Sequence, residues 1–282
     1  MQAFSEKAKK VMYKFIGDEN EIRAFYRKHI QSLHGKPFLS FLILPTARRK
    51  YFPKLSVSQN VIRSCAFPCN EKNNEDKFIL LLKRLQIEEG SYTDGKGDKR
   101  VELPSEAFVI YLTVDPLNEI RGYNKFQKQM ADKMERIVMS ALDPKSLSSQ
   151  AENSQVPTNL NIENDYKSAL HACPEKMFKK LDVDTKDTDK IDKLKAMFSK
   201  NSIHPCLVVD TRGGYHVVIN VKKLTGEAQK NLHIFAMDKD NKEWMSIEKS
   251  GCLVVIPGTI QAGYQTKMVD WIIPAFVDQK IL

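Results

Sequence analysis

The run of residues 207–221 constrains the fold of this chain more than any other stretch. Residues 207–209 are apolar, residues 211–214 (Thr-Arg-Gly-Gly) supply the glycines of a tight turn, and residues 215–221 are mostly apolar again. Two such runs joined by a short glycine-containing turn predict a β-hairpin. This part of the chain is therefore expected to contain an antiparallel sheet, with His216 at the start of its returning strand.

A pair of acids lies at the end of another predicted strand, residues 177–183. Asp182 and Asp184 are separated by one residue, so their side chains point to the same side, with Cα atoms about 7 Å apart. Such a pair can share or bracket divalent cations. The alternative is a solvated strand end whose two acids cap the next helix, and His216 by itself is also compatible with an ordinary polar strand residue.

The second half of the chain alternates strand and helix patterns in a defined order. Its predicted elements are the strand 177–183, a helix 188–199, the hairpin 206–221, a helix 225–238, and strands 244–248 and 252–256. The order β-α-β-β-α-β is typical of a ferredoxin- or RRM-like sheet with helices on one face.

In the first half, the spacing of apolar residues predicts both helices and strands. The predicted elements are two helices within 4–34, the second capped by Asp18 or Asn20, strands 38–44, 61–67 and 107–114, helices 76–87 and 120–142, and an exposed loop 88–100. Asp115 follows a strand but has Thr113 instead of an acid two residues before it, so it is not predicted to belong to the site.

The polar stretch 143–165 has no periodicity and is typical of a linker or mobile loop. It is predicted to separate an N-terminal α/β lobe, residues 1–142, from an RRM-like lobe, residues 166–282, that carries the site. The predicted fold class is therefore α+β. No run of about eighteen apolar residues occurs, so no transmembrane helix is predicted. The five scattered cysteines predict a reducing, intracellular compartment, either nucleus or cytoplasm.

The balance of charge favours a polyanionic partner. The chain has 44 Lys and Arg against 35 Asp and Glu, a formal net charge of +9, and phosphate contacts dominate nucleic-acid affinity. After the strand 38–44, the cluster Arg48, Arg49, Lys50 and Tyr51 could grip phosphates and stack a base. The alternative is that the charge serves solubility, with the aromatic residues in the core and the cations solvated.

Three motifs occur in order within residues 165–270. The acid-x-acid strand is followed by T-x-G-G-x-H and apolar residues at 211–219, and then by a glycine–apolar–proline segment at 251–259. This arrangement resembles the archaeo-eukaryotic primase superfamily, and within it the bifunctional primase-polymerase branch.

The resemblance implies an RRM-like catalytic half packed on an α/β lobe, and template-directed nucleotidyl transfer by two-metal chemistry. It implies that Asp182, Asp184 and a third acid hold Mg²⁺ or Mn²⁺, and that His216 contacts the triphosphate of the incoming nucleotide. The groups expected to help His216 are the backbone N–H groups of Gly213 and Gly214 and the Arg212 cation. Lys186, also near the acids, could neutralise phosphate, and the alternative is that it points to solvent.

The family pattern places its third acid just upstream of the glycine–apolar run. Strict alignment puts Ser246 there, and Glu248, two residues on and on the same strand face, is predicted to take the role. Asp238 and Asp270 are weaker substitutes. If no acid fills the role, metal binding is weakened and the domain binds nucleic acid without polymerising.

Three functions follow as hypotheses. The first is a primase-polymerase-like enzyme that makes or extends a primer on a single-stranded template from nucleoside triphosphates. The second is a catalytically degenerate primase-like subunit that binds single strands or a protein partner in a replication or repair complex. The third is a metal-dependent nuclease or phosphoesterase, which uses the same two-metal logic.

Overall fold

In a computed structural model of the chain, the described residues are 11–36, 38–70, 72–95, 100–142, 161–248 and 252–273. The helices are α1 (Glu19–Phe25), α2 (Glu75–Lys83), α3 (Glu119–Leu142), α4 (Ile162–His171), α5 (Thr188–Lys200) and α6 (Gly226–Met237). The strands of the first half are β1 (Leu39–Arg48), β2 (Gln59–Val61), β3 (Cys65–Pro68), β4 (Thr93–Asp94), β5 (Val101–Glu102), β6 (Phe108–Thr113) and β7 (Leu117–Asn118). Those of the second half are β8 (Phe178–Val183), β9 (Leu207–Asp210), β10 (Tyr215–Asn220), β11 (Met245–Ile247), β12 (Leu253–Val255), β13 (Ile260–Gln261), β14 (Tyr264–Gln265) and β15 (Lys267–Met268). The fold is mixed α+β, as predicted.

The N-terminal helix prediction is wrong for residues 11–17, and residues 4–10 of that prediction lie outside the described part of the chain. Met12 and Ile16 form isolated β-bridges instead. Tyr13 and Phe15 are buried while Lys14 between them is exposed, which is the period of two of an extended chain. Helix α1 begins only at Glu19, and the Asp18 carboxylate accepts hydrogen bonds from two backbone N–H groups of its first turn, as predicted.

The first sheet is built around β1. Ile43 pairs with both Leu112 of β6 and Cys65 of β3, which places these two strands on opposite edges of β1. Strand β12 pairs with β6 and completes the order β12-β6-β1-β2, with β3 and β7 also paired to β1. The first sheet thus takes one strand from the far end of the chain. The interval 143–165 stays a prediction as a domain boundary: residues 143–160 lie outside the described part, and α4 already begins at Ile162.

Strand β1 is longer than predicted and continues through Pro45 to Arg48. The carbonyl of Pro45 accepts a hydrogen bond from Ile62 N–H. The N and O atoms of one strand residue face the same edge, so the nitrogen of Pro45 faces the edge of β1 that pairs with β2 and β3. Pro45 lies between Ile43, which pairs with β3, and Thr46, which pairs with β2, so its missing N–H lies between the two paired segments. A proline is tolerated in a strand where no ladder hydrogen bond is lost. The extension carries Arg48 out of the sheet core.

The second sheet has the predicted chain order β8-α5-β9-β10-α6-β11 and the spatial order β11-β8-β10-β9-β15. Helices α5 and α6 cover one face, as expected. Their apolar residues cluster with Leu181 and Val183 of β8 and with Val217 and Ile219 of β10. Full burial of such side chains contributes roughly 1.5–3 kcal/mol each, so this packing fixes which face of each strand turns away from the helices.

The opposite face of β8 and β10 is apolar at one end only. Phe178 and Val218 belong to the core that the second sheet shares with the first sheet and with α1 and α2. The start of β8 is held by buried Asp115, whose Oδ1 accepts hydrogen bonds from the N–H groups of Met177 and Phe178 at 2.7 and 2.8 Å. Asp115 is thus a structural residue. At the other end of this face the two strands carry polar residues.

The longest helix, α3, has charged residues along its length. Among the residues that the structure describes, no helix is long and apolar enough to cross a lipid bilayer.

Candidate active site

A cleft of about 450 Å³ opens where the two sheets diverge. Its second-sheet wall is formed by Lys180, Asp182 and Asp184, by His216, and by Glu248 after β11. Its first-sheet wall is formed by Arg48, Tyr111 and Gln59 and by Lys50 and Tyr51, which directly follow β1. The structure therefore brings together most of the residues that the sequence singled out.

Asp182 and Asp184 face the cleft because alternate residues of β8 share a face. Helix α5 does not use them as caps, since its N-cap is Asp187, whose carboxylate accepts a hydrogen bond from Asp189 N–H. The interpretation of the acid pair as helix caps is therefore wrong. The Asp182 side chain is 31 % exposed and that of Asp184 is 63 % exposed, so the two acids occupy different environments.

His216 joins the two sheets at the base of the cleft. It lies directly opposite Asp182 in the β8–β10 ladder. Its Nδ1 accepts a hydrogen bond from Val255 N–H of β12 at 3.2 Å. A neutral imidazole has one acceptor and one donor nitrogen, so these contacts assign the proton to Nε2, which faces Asp182 Oδ1 at 3.4 Å. The ring therefore presents a donor, not a base, to the cleft.

The pKa values of this pair are shifted in the directions that keep His216 neutral and Asp182 charged. Burial lowers the pKa of His216, the Lys180 charge lowers it further, and Asp182 offsets only part of the effect. Burial alone would raise the pKa of Asp182. The hydrogen bond from His216 and the charges of Lys180 and Lys50 outweigh burial and hold that pKa well below its usual range. Asp182 is thus a fixed negative charge at the base of the cleft.

Glu248 reaches the same cleft, on the side predicted for the third acid. Ser246 of β11 lies opposite Asp182, and Glu248 N–H donates to the Lys180 carbonyl at 2.9 Å. Of the weaker substitutes, Asp270 pairs with Lys28 at 3.1 Å, and Asp238 ends α6. Neither residue lines the cleft.

The carboxylates suit Mg²⁺ or Mn²⁺ in chemistry but not in arrangement. Oxygen ligands are those that such hard ions prefer. Within the described ranges, however, no three His, Cys, Asp or Glu side chains come close enough together to hold one ion. Asp182 has the Lys180 ammonium at 3.8 Å and Asp184 has the Lys50 ammonium at 3.7 Å. As arranged, these residues do not fit a divalent ion, and metal binding stays a prediction.

The glycine turn is held against the end of β8. A Cβ on Gly214 would lie 1.8 Å from the Val183 carbonyl oxygen, closer than any real contact. Gly214 is therefore buried for a structural reason, while Gly213 is exposed and lines the cleft. The closest group to a Cβ on Gly213 would be the Lys50 ammonium, at 3.6 Å. Lys50 thus spans the mouth of the cleft, close to both the turn and Asp184.

The other cations predicted to bind phosphate do not line the cleft. The Lys186 ammonium lies 2.8 Å from Asp210 Oδ1 and contacts the Tyr264 hydroxyl at 3.1 Å. The guanidinium of Arg212 lies 5.6 Å from the ring centre of Tyr51 and bonds the Ala262 carbonyl. Neither is placed to bind a ligand in the cleft without leaving these partners.

Of the four residues 48–51 that were predicted to contact nucleic acid, Arg48, Lys50 and Tyr51 line the cleft and Arg49 does not. Arg49 donates instead to the carbonyls of Leu55 and Ser56. Arg48 Nη1 donates to Gln59 and to the Tyr111 hydroxyl at 2.9 and 3.0 Å. The Tyr51 hydroxyl accepts a hydrogen bond from Gln261 Nε2 at 2.7 Å, so its ring is anchored to the second half of the chain.

Several residues of the cleft were not predicted, chiefly Lys180, Tyr111, Gln59, His171 and Gln261. Only Lys180 carried a sequence signal, because positions 180, 182 and 184 share one face of a strand. The others reach the cleft through pairing between distant segments, which no local pattern reveals. Compared with known proteins, the chain matches no protein-family model, no curated protein and no solved structure.

Proposed function

We propose that the cleft binds the polyphosphate of a nucleoside triphosphate beside the end of a nucleic-acid strand, and that the protein is a primase-polymerase-like nucleotidyltransferase. One observation carries the proposal: Asp182, Asp184 and His216 come from neighbouring strands and open onto the same cleft as the cations of the first-sheet wall. The motif resemblance adds the reaction class, and with it the primase-like fold. Asp115, an alternative acid, is structural.

In the proposed reaction, the oxygen of a strand's 3′-hydroxyl forms a bond to the α-phosphorus of the nucleotide. Pyrophosphate leaves with the electrons of the broken P–O bond, and the hydroxyl proton passes to solvent. The chain's own contribution is positioning and charge. The ammonium of Lys50 is a donor for phosphate oxygens. His216 Nε2–H, which faces Asp182 as arranged, donates to a phosphate oxygen only by exchanging that partner. Mg²⁺ or Mn²⁺ remains the proposed cofactor, and binding it requires the carboxylates to exchange their lysine partners for the ion.

A groove that continues from the cleft supports a strand of nucleic acid as partner. This second groove, of about 480 Å³, shares Gln59, His171 and Leu253 with the cleft. It is lined by Arg63, which is exposed, and by Lys167. Lys167 is engaged by Glu163 and by the Ser64 carbonyl, so Arg63 is the cation of this groove that is placed to contact a phosphate. A groove that carries an exposed arginine and leads to the acid pair suits a single strand whose end is the substrate.

The lysine pairing favours a second candidate, the catalytically degenerate subunit that binds single strands or a protein partner. In that case Lys50 and Lys180 permanently neutralise the acids. The position of Glu248, the predicted third acid, supports the same conclusion, because Glu248 lies opposite Lys180 in the sheet and not opposite Asp182.

Primer synthesis tests the proposal. Wild-type protein, a single-stranded template, nucleoside triphosphates and Mn²⁺ are expected to give extended products on a denaturing gel. Asp182→Asn and Asp184→Asn are expected to abolish them, while Asp192→Asn, an exposed acid on α5, leaves them unchanged.

The other outcomes separate the hypotheses. If the wild-type protein shifts single strands but never incorporates nucleotides, the degenerate subunit is correct. Release of mononucleotides without added triphosphates indicates the nuclease.

A further inference from the structure

Lys180 is a buried cation whose ammonium faces the cleft. It is 5 % exposed and lies on the interior strand β8, on the same face as Asp182 and Asp184. Its backbone is fixed on both sides, since Val218 pairs with it in β10 and Glu248 N–H donates to its carbonyl. The side chain is therefore held at the base of the cleft by the two strands that flank it.

The contacts of this ammonium are incomplete. An ammonium carries three donors. The nearest carboxylate oxygen, Asp182 Oδ2, is 3.8 Å away, beyond hydrogen-bonding distance. In the described parts of the chain no oxygen accepts a hydrogen bond from Lys180 Nζ. The Nζ atom faces the open cleft, where a ligand can supply the acceptors that the chain does not.

The surroundings of Lys180 suit an anion larger than a carboxylate. Arg48 and Lys50 line the first-sheet wall of the same cleft, whereas His216 Nε2–H faces Asp182. Cations therefore face the cleft from both walls, and a phosphate bound there takes the place of Asp182 and Asp184 as the partner of the Lys180 and Lys50 ammoniums. Phosphate oxygens, each accepting several hydrogen bonds from cations, match such a set.

We propose that Lys180 is a phosphate-binding residue, whose ammonium leaves Asp182 and donates hydrogen bonds to the polyphosphate of the substrate nucleotide. This inference rests on the proposed function of the same cleft. It also accounts for the poor fit of a divalent ion, because in the absence of substrate the lysine neutralises the carboxylate that an ion would need. Lys180 and its partners then bind a triphosphate without any divalent ion.

Calorimetric titration of the full chain with ATP in the presence of EDTA tests the inference. Wild-type protein is expected to bind, and Lys180→Gln to bind at least about tenfold more weakly, since a hydrogen bond between charged groups is lost. Lys179→Gln is the matched control. It removes the neighbouring charge from the face that α5 and α6 cover and is expected to change the dissociation constant less than about twofold.

A charge-retaining variant, Lys180→Arg, together with thermal unfolding of each variant, separates loss of binding from loss of fold. It is expected to keep part of the affinity. Wild-type affinity in Lys180→Gln, or an equal loss in Lys179→Gln, overturns the role of Lys180 and leaves the proposed function intact. If wild-type protein binds no ATP either in EDTA or with Mn²⁺, the proposed function fails and the inference fails with it.

Discussion

The two walls of the cleft differ in how firmly each holds its charged groups. On the second-sheet wall, Lys180 and His216 are 5 % and 6 % exposed and lie on the central strands of a sheet. At the mouth, the Lys50 and Asp184 side chains are 62 % and 63 % exposed and form an ion pair at 3.7 Å. The base of the cleft is therefore built before any ligand arrives, whereas the mouth is free to rearrange. The positions of the charged groups at the base are therefore fixed by the packing of the strands. At the mouth they are fixed only by a weak ion pair on the surface.

The turn at the edge of the second-sheet wall is expected to show the largest effect. In Gly214→Ala, the new Cβ would overlap the Val183 carbonyl oxygen, which lies at the end of the interior strand β8 and cannot move without disturbing the β8–β10 ladder. We expect a loss of more than about 4 kcal/mol in the free energy of unfolding, or no folded protein. Urea denaturation followed by circular dichroism measures it.

Gly213→Ala is the matched control, because its Cβ would meet only the Lys50 ammonium at 3.6 Å. Equal stability of the two variants would show that the turn does not press on β8 as described.

The histidine that joins the two sheets comes next. His216→Ala leaves Val255 N–H without its acceptor and Asp182 without its donor, so we expect a loss of about 2–4 kcal/mol. Chemical denaturation of the variant is compared with that of His204→Ala, which removes an exposed histidine. A loss below about 0.5 kcal/mol in His216→Ala would mean that water replaces both hydrogen bonds and that the base of the cleft is not fixed.

Acid pH is expected to weaken the protein through a histidine outside the cleft. His29 is buried between the rings of Phe25, Phe41 and Phe178, and burial lowers its pKa from 6.5 to about 4. Because the unfolded chain binds the proton more tightly, this stability is present above about pH 6.5 and is lost as the pH falls toward the folded value. From about pH 7 to about pH 5 the loss attributable to His29 is roughly 2 kcal/mol.

Unfolding measured at both pH values checks this prediction. His29→Leu is expected to flatten the pH dependence, and His233→Leu, at an exposed position on α6, is expected to leave it unchanged. His216 adds to the pH dependence of stability in the same direction, since burial also lowers its pKa. Its contribution is smaller, because the charge of Asp182 offsets part of that lowering. If the pH dependence of the free energy of unfolding flattens more in His216→Ala than in His29→Leu, then His216, and not His29, is the main source of the acid sensitivity.

The pair at the mouth is expected to show the smallest effect. Lys50→Ala removes an exposed ion pair, and such pairs contribute less than about 1 kcal/mol. The loss is expected to disappear in high salt, because salt screens exposed charges. Lys54→Ala, an exposed lysine of the same loop, is the control in thermal unfolding. A loss comparable with that of His216→Ala would show that the mouth is as firmly built as the base.

The second half of the chain was predictable because its signals are local. Alternation of side chains gave the common face of Asp182 and Asp184, and the glycine turn gave the hairpin that carries His216. The helix-covered face followed from the apolar spacing of α5 and α6. The same alternation, applied two residues before Asp182, would also have placed Lys180 in the cleft.

The N-terminal stretch shows why other predictions failed. Its apolar residues fit a helical spacing, but Tyr13 and Phe15 are buried as alternate residues of an extended segment whose partners, Glu88 and Thr259, are far away in sequence. Arg212 and Lys186 differ from this case. Their neighbours in sequence line the cleft, but Arg212 bonds the Ala262 carbonyl and Lys186 pairs with Asp210, so phosphate binding by these two residues stays a prediction. No local pattern contains these distant partners.

In the second half of the chain, the sequence by itself determined the order β8-α5-β9-β10-α6-β11, the common face of Asp182 and Asp184, and the hairpin that carries His216. These depend on steric rules that act over a few residues. Only the tertiary structure decided that β12 returns to the first sheet, that Val255 orients His216, and that Arg48 and Lys50 face the acids. Such contacts arise when separate segments pack to bury their apolar faces, and the free energy of that packing is a property of the whole chain.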